Sequence, residues 1–127
     1  MKVVVVTALG GPEVLRVQEW TKPEPKAGEV LIRVEATSVN FADIKARQGR
    51  YHGASQPPFI PGLDAAGTVE AVGPKVKGVS LGDRVMAFPS GGSYAEYRRS
   101  RVVGLPHPGF HCLGDGGRFA DRGVHRL

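Results

Sequence analysis

Few stretches of this sequence join chemistry-bearing residues at a useful spacing. Asn40-Phe41-Ala42-Asp43 sets an amide and a carboxylate three residues apart. Asn40 suits a helix N-cap, and Asp43 in the first turn suits the positive end of the helix dipole. The same two groups can bind a ligand by hydrogen bonds. Tyr51 brings a ring and a hydroxyl, and Asp64 a second carboxylate. Other chemistries lack their parts. His52, His107, His111 and His125 show no metal-ligand spacing. His107 and His111 would share a face only on a helix, which Pro108-Gly109 forbids. Cys112 is the only cysteine and has no identifiable base nearby in sequence. It rules out an internal disulfide and a four-cysteine zinc lobe within the chain. No Gly-x-Gly-x-x-Gly follows a strand and opens a helix. Gly114-Asp115-Gly116-Gly117 is near in composition, but no strand is expected before it.

The elements that must position these groups are short. The β-branched run Lys2–Ala8 predicts a strand, Gly10-Gly11-Pro12 a turn, and Val14 to Trp20 a second strand. Lys22-Pro23-Glu24-Pro25-Lys26 cannot join a sheet ladder and reads as an extended linker. Val30–Val39 has the clearest period of two, with Val30, Ile32, Val34 and Ala36 on one face. Asn40 then starts a helix running from Phe41 to about Gln48, with Gly49 at its C-terminal end. Residues 51–61 form a Pro-rich loop. Further strands are expected at Asp64–Val72, Asp83–Phe88 and Ser93–Arg98. Gly62 and Gly67 are expected to serve a tight turn and close strand packing. About seven short strands with one or two short helices imply a mainly β fold, a partly open barrel.

The 127 residues suffice for one domain with a real core. No run is long and apolar enough to span a membrane, and the N-terminus lacks the pattern of a signal peptide, so a cytoplasmic setting is expected. The net charge of +5 is unevenly placed. Residues 1–97 carry 11 Lys and Arg against 10 Asp and Glu, whereas residues 98–127 carry six Arg against two Asp. The basic excess therefore belongs to the tail. Without aromatic residues interleaved on a basic face, nucleic-acid binding is not the expected role.

Several segments, in order and at natural spacing, resemble the GroES-like catalytic domain of medium-chain dehydrogenases/reductases. They include Gly28-Glu29-Val30-Leu31-Ile32, Val39-Asn40-Phe41-Ala42-Asp43, Pro61-Gly62-Leu63-Asp64-Ala65-Ala66-Gly67, Gly82-Asp83-Arg84-Val85 and Gly92-Ser93-Tyr94-Ala95-Glu96-Tyr97. The resemblance covers residues 1–106. Zinc alcohol dehydrogenases of this type carry Cys-x-Thr/Ser-Asp and Gly-His-Glu in two of these places. Here an amide (Asn40) and an aliphatic chain (Leu63) stand instead, and neither binds Zn²⁺ usefully. This pattern is similar to the zinc-independent NADPH:quinone oxidoreductase (zeta-crystallin-like) branch.

The resemblance implies a reaction in which hydride passes from NADPH, held by a Rossmann domain, to a quinone or conjugated carbonyl. No such domain is expected within this chain, so the isolated chain is expected to be inactive. Asn40 and Tyr51 are implied as the groups at the reacting centre, orienting the nicotinamide or polarising the acceptor oxygen. Asn40, Asp43, Tyr51 and Asp64 are implied on the cofactor side. Lys45 stands where zinc enzymes of this type often have a proton-relay His. Arg47 and Arg50 read as surface charges that would otherwise meet an anionic ligand. No metal is expected, and full-length relatives are expected to dimerise and to bind no membrane. Two alternatives stand beside this reading. One is an enone or enoyl reductase of the same branch. The other is a non-catalytic GroES-like module binding RNA through its basic tail.

After Leu105-Pro106 the resemblance stops, and residues 107–127 form an atypical tail. Leu113–Leu127 can be encoded so that dropping one base yields Trp-Glu-Met-Ala-Ala-Ala-Leu-Pro-Thr-Val-Gly-Phe-Thr-Ala, which resembles the family's next segment. A frameshift near His107–Cys112 is therefore expected, with a poorly ordered tail after it.

Overall fold

In the computed structural model, residues 1–51, 56–102 and 111–114 are described, the last four by backbone alone. Strands β1 (Lys2–Val6) and β2 (Leu15–Glu19) form an antiparallel ribbon, with Val4 opposite Val17. A single 3-10 turn, Pro12–Val14, precedes β2. Then come β3 (Glu29–Ala36), α1 (Phe41–Arg47), β4 (Ala65–Val72), β5 (Arg84–Phe88), β6 (Tyr97–Arg101) and β7 (His111–Gly114). The five strands outside the ribbon make one sheet, ordered β6-β3-β4-β5-β7. Its end strands, β6 and β7, approach one another, so the sheet curls towards closure. The fold is mainly β, as expected.

The alternation expected on β3 fails where the strand is most covered, because Leu31 is buried along with Val30 and Ile32, and a period of two shows only from Ile32 to Glu35. Val30 and Ile32 are fully buried and join Val69, Val79, Val85 and Ala87 in the core. The period fades at Ala36, which is exposed. The reason is a shift in register between Val34 and Ala36, which ends the strand earlier than Val39 and frees Thr37 and Ser38 to turn towards Asp64. β1 contributes Val3, Val5 and Val6 to the interior, consistent with its unbroken run of valines.

The expectation for Ser93–Arg98 needs correction. The regular strand is Tyr97–Arg101, while the preceding residues cross between two elements. Val4 N–H donates to the Tyr94 carbonyl, Glu96 N–H to the Lys2 carbonyl, and Val34 N–H to the Glu96 carbonyl. The chain here serves β1 first and β3 second, which a period of two cannot reveal. The absence of a strand before Gly114 is corrected too. β7 runs parallel to β5, pairing Val85 with His111 and Phe88 with Gly114. The rest of the atypical tail, residues 107–110 and 115–127, lies outside the described residues, as do residues 103–106.

α1 spans seven residues, with Gln48 as C-cap and Gly49 at φ 75° beyond it, a left-handed conformation that favours glycine. Gly67 faces the β3 backbone so closely that a Cβ would collide with the Arg33 carbonyl. Gly62 adopts φ 107°, and a Cβ there would lie 2.7 Å from the Tyr94 ring. These two glycines let β4 lie against β3 and let the loop before β4 reach the site.

Candidate active site

The end of β3, the start of α1 and the start of β4 converge. Asn40 is the residue before α1, in an extended conformation, and its backbone N–H donates to Asp43 Oδ2 at 2.9 Å. Its side-chain amide does something else. Nδ2 donates to Asp64 Oδ2 at 2.9 Å and to Ser38 Oγ at 3.3 Å. Ser38 closes the cluster: its N–H donates to Asp64 Oδ1 at 2.8 Å, and its hydroxyl donates to Asp64 Oδ2. The Asp64 backbone carbonyl accepts the Thr37 hydroxyl at 2.7 Å. Partial burial pushes the Asp64 carboxyl up. The hydrogen bonds from Asn40, Ser38 and Thr37 outweigh that and hold it below the ordinary aspartate value.

Asp43 is 6% exposed and has three donors. Besides Asn40 N–H, it accepts Gly62 N–H at 3.0 Å on Oδ1 and the Tyr94 hydroxyl at 3.2 Å on Oδ2. It therefore ties α1, the loop before β4 and the segment before β6 to one carboxylate. Burial, then the negative charge of Asp43 and the hydrogen bond to it, push the Tyr94 hydroxyl up to about 12. Tyr94 keeps its proton at any ordinary pH.

Tyr51 is 47% exposed and lines a small cleft with Asp43, Phe59, Gly62, Leu63 and Gly91. Asn40 is not among the residues lining that cleft. The four residues expected at the site thus divide: Asn40, Asp43 and Asp64 are linked by hydrogen bonds, and Tyr51 joins them only through the cleft it shares with Asp43. Lys45 lies over the Phe41 ring, 5.0 Å from its centre. Arg47 lines a second small cleft with Asp43 and Tyr94, and Arg50 is exposed. Among the described residues, no group of three or more His, Cys, Asp or Glu side chains could hold a metal ion.

Sequence reasoning overlooked Ser38 and Tyr94. Ser38 had a legible signal, because residues two apart on an extended strand share a face, which sets it beside Asn40. Tyr94 had none, since its meeting with Asp43 depends on how the chain crosses from β1 to β3.

Residues 26–122 match the model of the alcohol dehydrogenase GroES-like domain. The chain belongs to that family. It is 44% identical over 96 residues to the synaptic vesicle membrane protein VAT-1 homolog-like of Mus musculus, covering 76% of this chain and 23% of that protein. It is 43% identical over 99 residues to the quinone oxidoreductase of Lama guanicoe, covering 76% of this chain and 30% of that protein. Among solved structures, the human VAT-1 homolog-like protein superposes with a TM-score of 0.79 at 42% identity, over 80% of this chain and 33% of that one. The Escherichia coli quinone oxidoreductase complexed with NADPH superposes with a TM-score of 0.73 at 32% identity, over 78% and 30%. This GroES-like chain therefore spans about a quarter to a third of the length of these relatives. No described helix is long and apolar enough to cross a membrane.

Proposed function

We propose that this chain forms the substrate-side wall of an NADPH-dependent quinone oxidoreductase site, where hydride passes to a quinone or conjugated carbonyl without a metal. One observation carries the reading. Where zinc relatives place a thiolate and an imidazole, this chain has Asn40 and Leu63, and the Asn40 amide is bonded to Asp64 and Ser38. That donor set suits hydrogen bonding to an organic cofactor and lacks the soft ligands that zinc needs. Quinone oxidoreductases among the relatives, one of them complexed with NADPH, support the same reading.

The residues present fit a nicotinamide group. Tyr51 is half-exposed and shares a small cleft with Leu63 and Gly62. The nicotinamide, when bound, supplies the hydride. The protein's part is to hold it, to orient the acceptor and to keep water out. Asn40 orients by a hydrogen bond, and Tyr51 covers one side by ring contact. Asp43 and Asp64 touch neither partner in this scheme. Asp43 holds α1 to the loop, and Asp64 holds Asn40. Tyr94 is no proton donor here, because its hydroxyl already bonds Asp43 and its pKa is raised. The proton that completes reduction comes from water.

The test is ligand binding by the 127-residue chain, followed by NMR, with reduced nicotinamide mononucleotide and a simple naphthoquinone as probes. Signals of Tyr51 and Leu63 should shift, and Tyr51→Ala should weaken binding about tenfold, the loss of roughly 1.4 kcal/mol. Zinc should be absent from the purified protein at stoichiometric level. Stoichiometric zinc, or binding that ignores Tyr51, overturns the reading.

A further inference from the structure

A side-chain amide has two faces, a donor NH₂ and an acceptor oxygen, and a neighbouring group decides which one meets a ligand. At Asn40 the neighbours leave no choice. Asp64 is an ionised carboxylate, which can only accept, so it must face the NH₂. The second amide hydrogen goes to Ser38 Oγ. Ser38 can accept it because its own hydroxyl hydrogen is given to Asp64 Oδ2. The three side chains form a closed ring of consistent polarity: Asn40 to Asp64, Asn40 to Ser38, Ser38 to Asp64. Both Nδ2 hydrogens are used.

Oδ1 is what remains. It lies on the side of the first turn of α1, where the Asp43 N–H donates to the Asn40 main-chain carbonyl at 3.0 Å. An amide oxygen has two lone pairs, so even a capping contact leaves one for a ligand. We infer that Ser38 and Asp64 are positioning residues that fix the Asn40 amide with its NH₂ inward, so that Asn40 meets its ligand as a hydrogen-bond acceptor. It then selects a donor, a ribose hydroxyl or a carboxamide N–H of a nicotinamide nucleotide. It does not polarise the carbonyl of the electron acceptor, because it has no hydrogen left to give. This rests on the nicotinamide reading for the ligand's identity, though not for the orientation of the amide.

The orientation is read first, without ligand. In the wild-type chain the Asn40 side-chain N–H signals should exchange slowly with water and lie away from free-amide positions. In Asp64→Leu they should move to free-amide values. A free-amide signal in the wild type overturns the inference and needs no variant to fold.

The polarity is read by exchanging the partners. Asn40→Asp alone sets two carboxylates together and should weaken binding of reduced nicotinamide mononucleotide about tenfold or more. Asn40→Asp with Asp64→Asn restores a donor facing a carboxylate and leaves an acceptor-only group at position 40. An acceptor role predicts recovery to within about threefold of wild type, less than 1 kcal/mol. A donor role predicts that the double variant stays as weak as the single one, and that outcome overturns the inference. A merely structural role for Asp64 predicts recovered stability without recovered binding, which overturns it equally. If the wild type binds no nicotinamide nucleotide, the nicotinamide reading fails and the acceptor loses its assigned ligand. The ligand-free signals still decide the amide's orientation by themselves.

Discussion

Two carboxylates near one short helix have separate tasks, set by their donors. Asp64 receives side-chain hydrogen bonds from Asn40 and Ser38, whereas Asp43 receives two backbone N–H groups and the Tyr94 hydroxyl. The first orients the Asn40 amide, and the second fastens backbone segments. Tyr94 gives the Asp43 arrangement a pH signature. Its hydroxyl is raised from the ordinary value of 10.0 to about 12, by burial first and by Asp43 next. A group whose pKa is raised on folding favours the folded state fully below its unfolded value. That contribution is lost as pH rises through the folded one. Stability should therefore fall between about pH 10 and 12 in the wild type, in step with the Tyr94 part of the tyrosinate absorbance. Tyr94→Phe should remove that part of the absorbance change and cost about 1 kcal/mol at neutral pH, a typical net value for one hydrogen bond. A Tyr94 signal that titrates at its ordinary value in the wild type would falsify the Asp43–Tyr94 contact.

The positions of these residues come from elements whose legibility in sequence varied with their surroundings. The valines of β1 and the pair Val30 and Ile32 were readable because both stretches are apolar and buried. The short helix was readable because Asn40 and Gly49 mark its ends, and the bounds Phe41–Arg47 lie within one residue of expectation. The stretch from Ser93 to Glu96 was not readable, since its backbone bonds go to two different strands. β7 was not readable either, because a four-residue parallel strand carries too few positions to show a period. The candidate site followed the same division. Asn40 and Asp43 mark the start of the helix in sequence, so their pairing was legible, whereas the bond from Asn40 to Asp64 was not, because it joins segments 24 residues apart. Ser38 and Tyr94 enter through a register shift and a crossing chain. The role of Gly67 was legible in kind and can be tested in degree. A Cβ there meets the Arg33 carbonyl on β3, and backbone on the neighbouring strand cannot swing aside as a side chain can. Gly67→Ala should lower the unfolding free energy by about 1–3 kcal/mol, the usual range for overpacking. Chemical denaturation of both proteins measures it. Gly82→Ala is the contrast: φ is 85°, but nothing lies near the added Cβ, so its cost should be backbone strain alone.

At the scale of the whole molecule, several large apolar side chains are exposed among the described residues. Val17, Val39 and Phe41 are each more than 70% exposed, and Leu9 is 49% exposed. An open groove beside β1 is lined by Val4, Val17, Val34, Ala36, Val39 and Tyr94, close to the end of β3 that carries Ser38 and Asn40. On the proposed reading the site is one-sided: Asn40 supplies an acceptor and Tyr51 a ring. Among the described residues no backbone loop opens a helix of eight or more residues that could cradle a dinucleotide's phosphates. Positioning is the main contribution a protein makes to cofactor-borne hydride transfer, and a single wall holds a dinucleotide poorly. The 127-residue chain assayed alone with NADPH and a quinone should therefore turn over at background rate. Background here means the rate of the same mixture without protein, followed by NADPH absorbance. Weak binding of the mononucleotide with no turnover is the expected pair of results if, as proposed, this wall meets the nicotinamide end and little else of the cofactor. Turnover well above background by the pure chain would mean that these strands and their apolar groove hold the whole cofactor, and the one-walled description of the site would have to be abandoned.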